Sequence, residues 1–347
     1  MINTLTETQH ILAVGWWMVV GFSVLLYIIL DGADLGAGIF SLFVRDEDER
    51  GAIMEAMAGT WDANETWLIV AGGVLFGSFP FAYGSALHYL MIPLMMVLLG
   101  VLTRAVALEF RHLAATWSRR FTDYAFGLSS LAVSFFGGMG VGAVLQGFPM
   151  THPEHGIPAY VGGALRFATP FSAWTGVAAV VAVSLSGGLF VRARFEKGEP
   201  IRRHARGWTH VSFYLVTVTV MVTVIWSALI FPWAWNNWTG RYFWAWGLVL
   251  AAALFSTYRM RVATFADRDF RALLWLDATI AIMMGGMLAT MYPYIVPGTW
   301  TVYDAASPEI SIVTFLLTAV GLFPVMIMYN WYQIWVFRAR VAKLVSH

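Results

Sequence analysis

Apolar runs of roughly 20 residues, the length needed to cross a bilayer, recur along this chain near 11–30, 66–84, 87–103, 124–146, 167–191, 210–231, 243–258, 273–292 and 310–337. Polar or Gly/Pro-containing breaks separate them. The pattern predicts about nine transmembrane helices and an all-α integral membrane protein. The second and third runs are divided only by a tight break around Gly84 to His88, and several helices are expected to continue past these limits on the inner side.

Composition supports this reading. The chain is 59% hydrophobic and 12% charged, against about 25% charged for a soluble domain. The opening MINTLTETQHILAVGWWMVVGF lacks the basic stretch of a signal peptide and is long enough to span, so it is kept as the first helix. Of the 21 Lys and Arg, all but Arg166 and Arg241 fall in alternate connections, which by the positive-inside rule become cytoplasmic. The N-terminus is thus expected outside and the C-terminus in the cytoplasm. A net charge of +1 gives no footprint for nucleic acid, and the absence of cysteine excludes disulfides, thiolate metal sites and cysteine nucleophiles.

Connections are short on both sides, which places the chemistry in the helix bundle or at its rims. The longest outer loop, about Gly147 to Arg166, is too small for a binding domain, and the aromatic cluster from Phe231 to Trp246 reads as an interfacial belt. The acids near the spans are more informative. Asp31 and Asp34 end the first run, Asp62 and Glu65 open the second, and Glu109 lies just below the third. Carboxylates three apart share a helix face, so Asp31 with Asp34 and Asp62 with Glu65 could each present a pair to one cavity, an arrangement suited to proton relay.

Bland readings compete with that one. Asp62 and Glu65 have capping-box spacing after the Gly59 break. Gly32 and Gly36 form a small-xxx-small packing face beside Asp31 and Asp34. Arg104 and Arg111 offer Glu109 ordinary ion pairs. No histidine is expected at mid-membrane to ligate haem: His10 and His88 belong to the outer rim, His112, His204 and His210 to the inner, His152 and His155 to the outer loop, and His347 to the terminus. The methionine-rich faces at 91–96 and 282–287 read as packing. No P-loop, nucleophile triad or metal-ligand spacing occurs.

Five motifs in order, LDGADLGAGIF (30–40), WDANETWLIVAGGVLFGSFPFAY (61–83), LTRAVALEFRH (102–112), VLQG (144–147) and YPYIVPG with YDAAS (292–307), resemble subunit II of the bacterial cytochrome bd-type quinol oxidases. The TRxxxxEFR spacing resembles the cyanide-insensitive branch. The resemblance runs from about 15 to 340 and rests on hydropathy alone between about 190 and 270.

It implies a single membrane domain, with a first four-helix group over 1–150, a second over 160–295 and a ninth helix over 308–340. It implies a heterodimer in the bacterial inner membrane, whose partner, subunit I, holds the haems and oxidises quinol while reducing oxygen to water with cytoplasmic protons. No cofactor is then expected in this chain, with room left for a bound quinone and for small accessory subunits. Asp62 and Glu109 match the family's proton-path acids, while Asp31, Asp34, Trp61, Asn64 and Arg104 match further motif positions. Ala33 stands where the family commonly has an aromatic, and Ala63 where it has glycine, so another side chain is expected to fill the space at Ala33. Two rival functions remain on residue grounds: a proton-coupled secondary transporter, which should carry its polar groups at mid-membrane rather than at one rim, and a purely structural companion.

Overall fold

A computed structural model describes residues 6–151 and 159–336. His152, His155 and His347, together with the cationic tail beyond 336, lie outside the described residues. Twelve α-helices account for nearly all of the described fold: α1 (Glu7–Ser41), α2 (Glu47–Glu55), α3 (Trp61–Ser78), α4 (Pro80–Tyr89), α5 (Met91–Phe110), α6 (Thr116–Leu145), α7 (Pro170–Arg194), α8 (Pro200–Ile230), α9 (Pro232–Thr239), α10 (Phe243–Phe265), α11 (Asp269–Met291) and α12 (Glu309–Val336). Eight of them are long and apolar enough to cross a membrane. Helix α3, read in the sequence as the second span, is not among the eight: it has 18 residues, and its first turns are the polar WDANET.

The breaks follow local chemistry. Pro80 cannot continue α3, since it lacks the N–H that would close the next turn, and the chain restarts there as the ten-residue α4. The predicted break at Gly84 to His88 is therefore displaced: it falls at Phe79 and Leu90, on either side of a short linking helix. Pro232 likewise ends α8 and opens α9. The aromatic cluster there is only partly a belt. Trp235, Tyr242, Phe243 and Trp244 are exposed, but Phe231 packs with Phe171 and Ala234, and Trp238 Nε1 donates to Thr290 Oγ1 at 3.0 Å. One short hairpin, β1 (Tyr294–Val296) with β2 (Trp300–Thr301), tops the bundle, turning at Gly298 in the left-handed region and fixed by Trp300 Nε1 donating to Ser85 Oγ at 3.0 Å.

Helix α1 is the hub and packs against α3, α6, α7, α11 and α12. Its crossing with α7 is a backbone-to-backbone approach: a Cβ at Gly36 would lie 1.7 Å from the Val183 carbonyl oxygen, and one at Gly187 would lie 2.0 Å from the Ala37 nitrogen. Small residues allow helices in lipid to gain dispersion contact at this range, as the Gly32/Gly36 spacing predicts. Ala33, by contrast, leaves no interior gap, because its side chain sits at the half-exposed edge of α1. Ala63 is buried, and its carbonyl accepts from Asn330 Nδ2 of α12 at 3.2 Å.

Candidate functional site

Three helices bring polar side chains to one point inside the bundle. Asp31 and Asp34 lie on α1, one turn apart, with exposures of 0% and 2%. Arg104 of α5, also fully buried, donates from Nη2 to Asp31 Oδ1 at 2.6 Å and from Nε to Glu65 Oε1 of α3 at 3.1 Å, with a second contact from Nη2 to Glu65. Asn64, next to Glu65, donates from Nδ2 to Asp34 Oδ2 at 2.8 Å. Tyr27, one turn before Asp31, sets its phenol beside that carboxylate. A buried ion pair is tolerated only when its remaining hydrogen-bonding groups are also engaged. Here one guanidinium serves two carboxylates and the third carboxylate is held by a neutral amide, while Arg104 Nη1 and Asp31 Oδ2 stay without a hydrogen-bond partner among the described residues.

The WDANET motif supplies two of these groups from consecutive positions. Asn64 is turned toward α1, and Glu65, about 100° further round the helix, toward α5. Glu65 is thereby drawn away from the predicted capping box. The residue before α3 is Thr60, which makes no side-chain cap, and Asp62 caps nothing. A charged contact with a buried arginine outweighs a hydrogen bond to the partly solvated backbone of the first turn. Asp62 is exposed and Trp61 half-buried, about one turn from Glu65 toward the start of α3. Glu109 is exposed near the end of α5, five positions beyond Arg104. The structure thus unites Asp31, Asp34, Asn64, Glu65 and Arg104, and leaves Asp62, Trp61 and Glu109 on the rim at the same end of the bundle.

The ion pairs expected for Glu109 do not form. Arg104 is committed to Asp31 and Glu65, and Arg111 donates from Nε to Asp123 Oδ1 at 2.6 Å and from Nη2 to the Glu47 carbonyl. Asp123 also accepts from Arg50 Nε at 2.9 Å, so an Arg50–Asp123–Arg111 bridge ties α2 and α6 to the turn that follows α5. A second network joins α7, α8 and the α10–α11 turn: Arg192 reaches Asp267 at 2.9 Å and Asp269 at 2.8 Å, and Arg202 reaches Asp269 at 2.5 Å. Neither network is foreseeable from spacing, because its members come from distant segments. Asp277, by contrast, is legible in the sequence as an aspartate inside the eighth apolar run, and it lies half-buried on α11.

His10, His88, His112 and His204 are exposed, and His210 stacks on Phe265 with ring centroids 4.3 Å apart. No group of three or more metal-ligating side chains occurs among the described residues.

Comparison with known proteins gives a consistent result. The family model described as cytochrome bd terminal oxidase subunit II matches residues 12–337. Cytochrome bd-I ubiquinol oxidase subunit 2 of Escherichia coli (strain K12) is 25% identical, covering 94% of each chain. Cytochrome bd ubiquinol oxidase subunit 2 of Bacillus subtilis (strain 168) is 36% identical over 28% of this chain and 29% of its own. Among solved structures, a chain of the bd oxidase from Geobacillus thermodenitrificans superposes with a TM-score of 0.76 at 18% identity, covering 94% of this chain and 98% of that one, which shows a shared fold.

Proposed function

Because the chain belongs to the cytochrome bd terminal oxidase subunit II family, we propose that its buried acid cluster and the rim acids beside it form a proton inlet serving the oxygen-reducing haem of a partner subunit. The chain is a multi-pass membrane protein and the haem-free second subunit of a quinol oxidase complex, in which quinol is oxidised and oxygen reduced to water. Family membership sets aside the secondary-transporter reading. Subunit I in a heterodimer, quinol and oxygen as substrates, small accessory subunits, a bound quinone and the bacterial inner membrane are parts of the same proposal. So are nine spans in two four-helix groups plus one, with the N-terminus outside.

The observation that carries the inlet is the placement of Asp34. Its neighbours Asp31 and Glu65 share the charge of Arg104, while Asp34 accepts from the uncharged Asn64 amide. A carboxylate held by an amide can take up and release a proton without breaking an ion pair. Asp62 and Glu109, open to the surface at the same end, would collect protons, and Asp34 would pass them inward. The haem supplies the oxygen chemistry when the complex is assembled; this chain's residues hold and move protons.

Substituting Asp62→Asn in the whole complex should slow quinol oxidase turnover several-fold while the reduced-minus-oxidised haem spectrum stays unchanged. Wild-type turnover in that variant would remove Asp62 from the path. If Asp31, Asp34, Asp62, Glu65 and Glu109 could all be neutralised together with no kinetic effect, the subunit would be a structural companion only.

A further inference from the structure

The inlet as described draws on α1, α3 and α5, yet a fourth helix reaches it. Arg192 and Arg194 end α7, and side chains two positions apart on a helix point about 200° from each other. They accordingly serve different regions. Arg192 turns to α8 and the α10–α11 turn, donating to Thr209 Oγ1 at 2.7 Å and to the Thr264 carbonyl at 2.9 Å in addition to its carboxylate partners. Arg194 turns the other way, toward the first helices. Its Nη2 donates to the Ala56 carbonyl at 3.0 Å, and its guanidinium lies 5.8 Å from the centroid of the Phe190 ring.

Ala56 follows α2 and precedes, by five positions, the Trp61 and Asp62 that open α3. The connection from 56 to 60 is therefore the segment that sets the height of Asp62, Asn64 and Glu65 against α1. Ala56 and Met57 anchor its first half in the core, but the turn that opens α3 has no side-chain cap. A hydrogen bond from a cation to a backbone carbonyl is among the stronger ties available to such a segment. Arg194 is also within electrostatic range of Asp34. The polar and charged groups around Asp34 are then Asp31 from α1, Asn64 and Glu65 from α3, Arg104 from α5 and Arg194 from α7. Arg104 acts on Asp34 more strongly but is bound to the two other carboxylates. The approach of α7 is rigid, because Gly187, two turns before Arg194, is locked against Gly36.

We propose that Arg194 is a positioning residue of the proton inlet: it holds the α2–α3 connection through Ala56 and supplies Asp34, from the α7 side, with a second positive charge. The inference rests on the inlet reading above. It makes α7 a working wall of the inlet as well as a packing partner of α1.

The test uses the complete oxidase complex with Arg194→Gln, which keeps a hydrogen-bond donor and loses the charge, and Arg194→Lys, which keeps the charge and loses the planar fork. Turnover is measured beside the haem spectrum, and redox-difference infrared spectra follow the carboxyl band that disappears in Asp34→Asn. Arg194→Gln should slow turnover on the order of threefold to tenfold, the size of couplings within one network, and shift the Asp34 band with the haem spectrum unchanged. Arg194→Lys should recover most of the turnover and the band position. Wild-type turnover and an unmoved band in Arg194→Gln, with Asp34→Asn slow, would overturn the role of Arg194 and leave the inlet standing. Asp34→Asn and Arg194→Gln both at wild-type turnover would remove the inlet and this inference with it. If Arg194→Gln fails to assemble, Arg194→Lys decides: an assembled variant as slow as Asp34→Asn overturns the charge role, and one near wild type upholds it.

Discussion

Arg104 is the side chain whose removal should cost the fold most at a single position. It is fully buried and is the hydrogen-bonding cation for both Asp31 and Glu65. Breaking a buried pair by deleting one partner leaves an uncompensated charge, a destabilisation of about 3–5 kcal/mol. Arg104→Gln should therefore reduce the yield and thermal stability of the purified complex in detergent, measured by loss of the haem spectrum on heating. Asp31→Asn, which leaves Glu65 to balance Arg104, should be milder, and equal stability of the two variants would count against the pairing described. At this scale the sequence was informative about membership and silent about partners. Three-residue spacing placed Asp31 with Asp34 on one face, as found. It also suggested an Asp62–Glu65 capping box and Glu109 ion pairs with Arg104 and Arg111, and neither exists. Those suggestions used neighbours within a single helix, whereas Glu65 and Arg104 find each other across two helices separated by 38 intervening residues, beyond the reach of periodicity.

At the level of elements, the bundle depends on a few contacts with no room for side chains. Gly36 and Gly187 bring the backbones of α1 and α7 together at the level where the acid cluster begins. Gly36→Ala places a Cβ against a backbone carbonyl that cannot rotate away, so the helices must separate. Overpacking of this kind costs about 1–3 kcal/mol or more. The expected outcome is a lower melting temperature and reduced turnover together, because separating α1 from α7 also moves Asp34 away from Arg194. Gly72→Ala, where a Cβ meets no neighbour within 4 Å, is the comparison, and it should change neither property. The small-xxx-small spacing made this crossing legible on the α1 side. The partner glycine on α7 was not, since 167–191 shows several small residues with nothing to single out Gly187. The apolar runs located the long helices well but not their ends. α1 runs on to Ser41, and α8 begins at Pro200, because helices continue past the hydrocarbon on the cationic side, where hydropathy falls while helix-forming residues persist.

For the whole molecule, the inlet has functional meaning only if the acid cluster faces the cytoplasm, the source of the protons consumed when oxygen becomes water. The distribution of cations predicts that orientation, with Arg166 and Arg241 the two expected among the outer connections. The same end of the bundle holds Arg50, Arg111, Arg192 and Arg202 in ion-pair networks that staple the helix ends together. A chain without cysteine offers a direct test, because any cysteine introduced is the only thiol on this subunit. Gly163 lies exposed in the connection between α6 and α7, where a Cβ would meet no neighbour within 4 Å, and Glu196 lies exposed between α7 and α8. In intact cells a membrane-impermeant thiol reagent should label Gly163→Cys and leave Glu196→Cys unmodified, and permeabilising the inner membrane should make Glu196→Cys reactive. The reverse pattern would put Asp34, Asp62 and Glu109 at the outer face, where they could not feed cytoplasmic protons to the partner's haem. The inlet would then have to be abandoned even though every hydrogen bond in the cluster were correct.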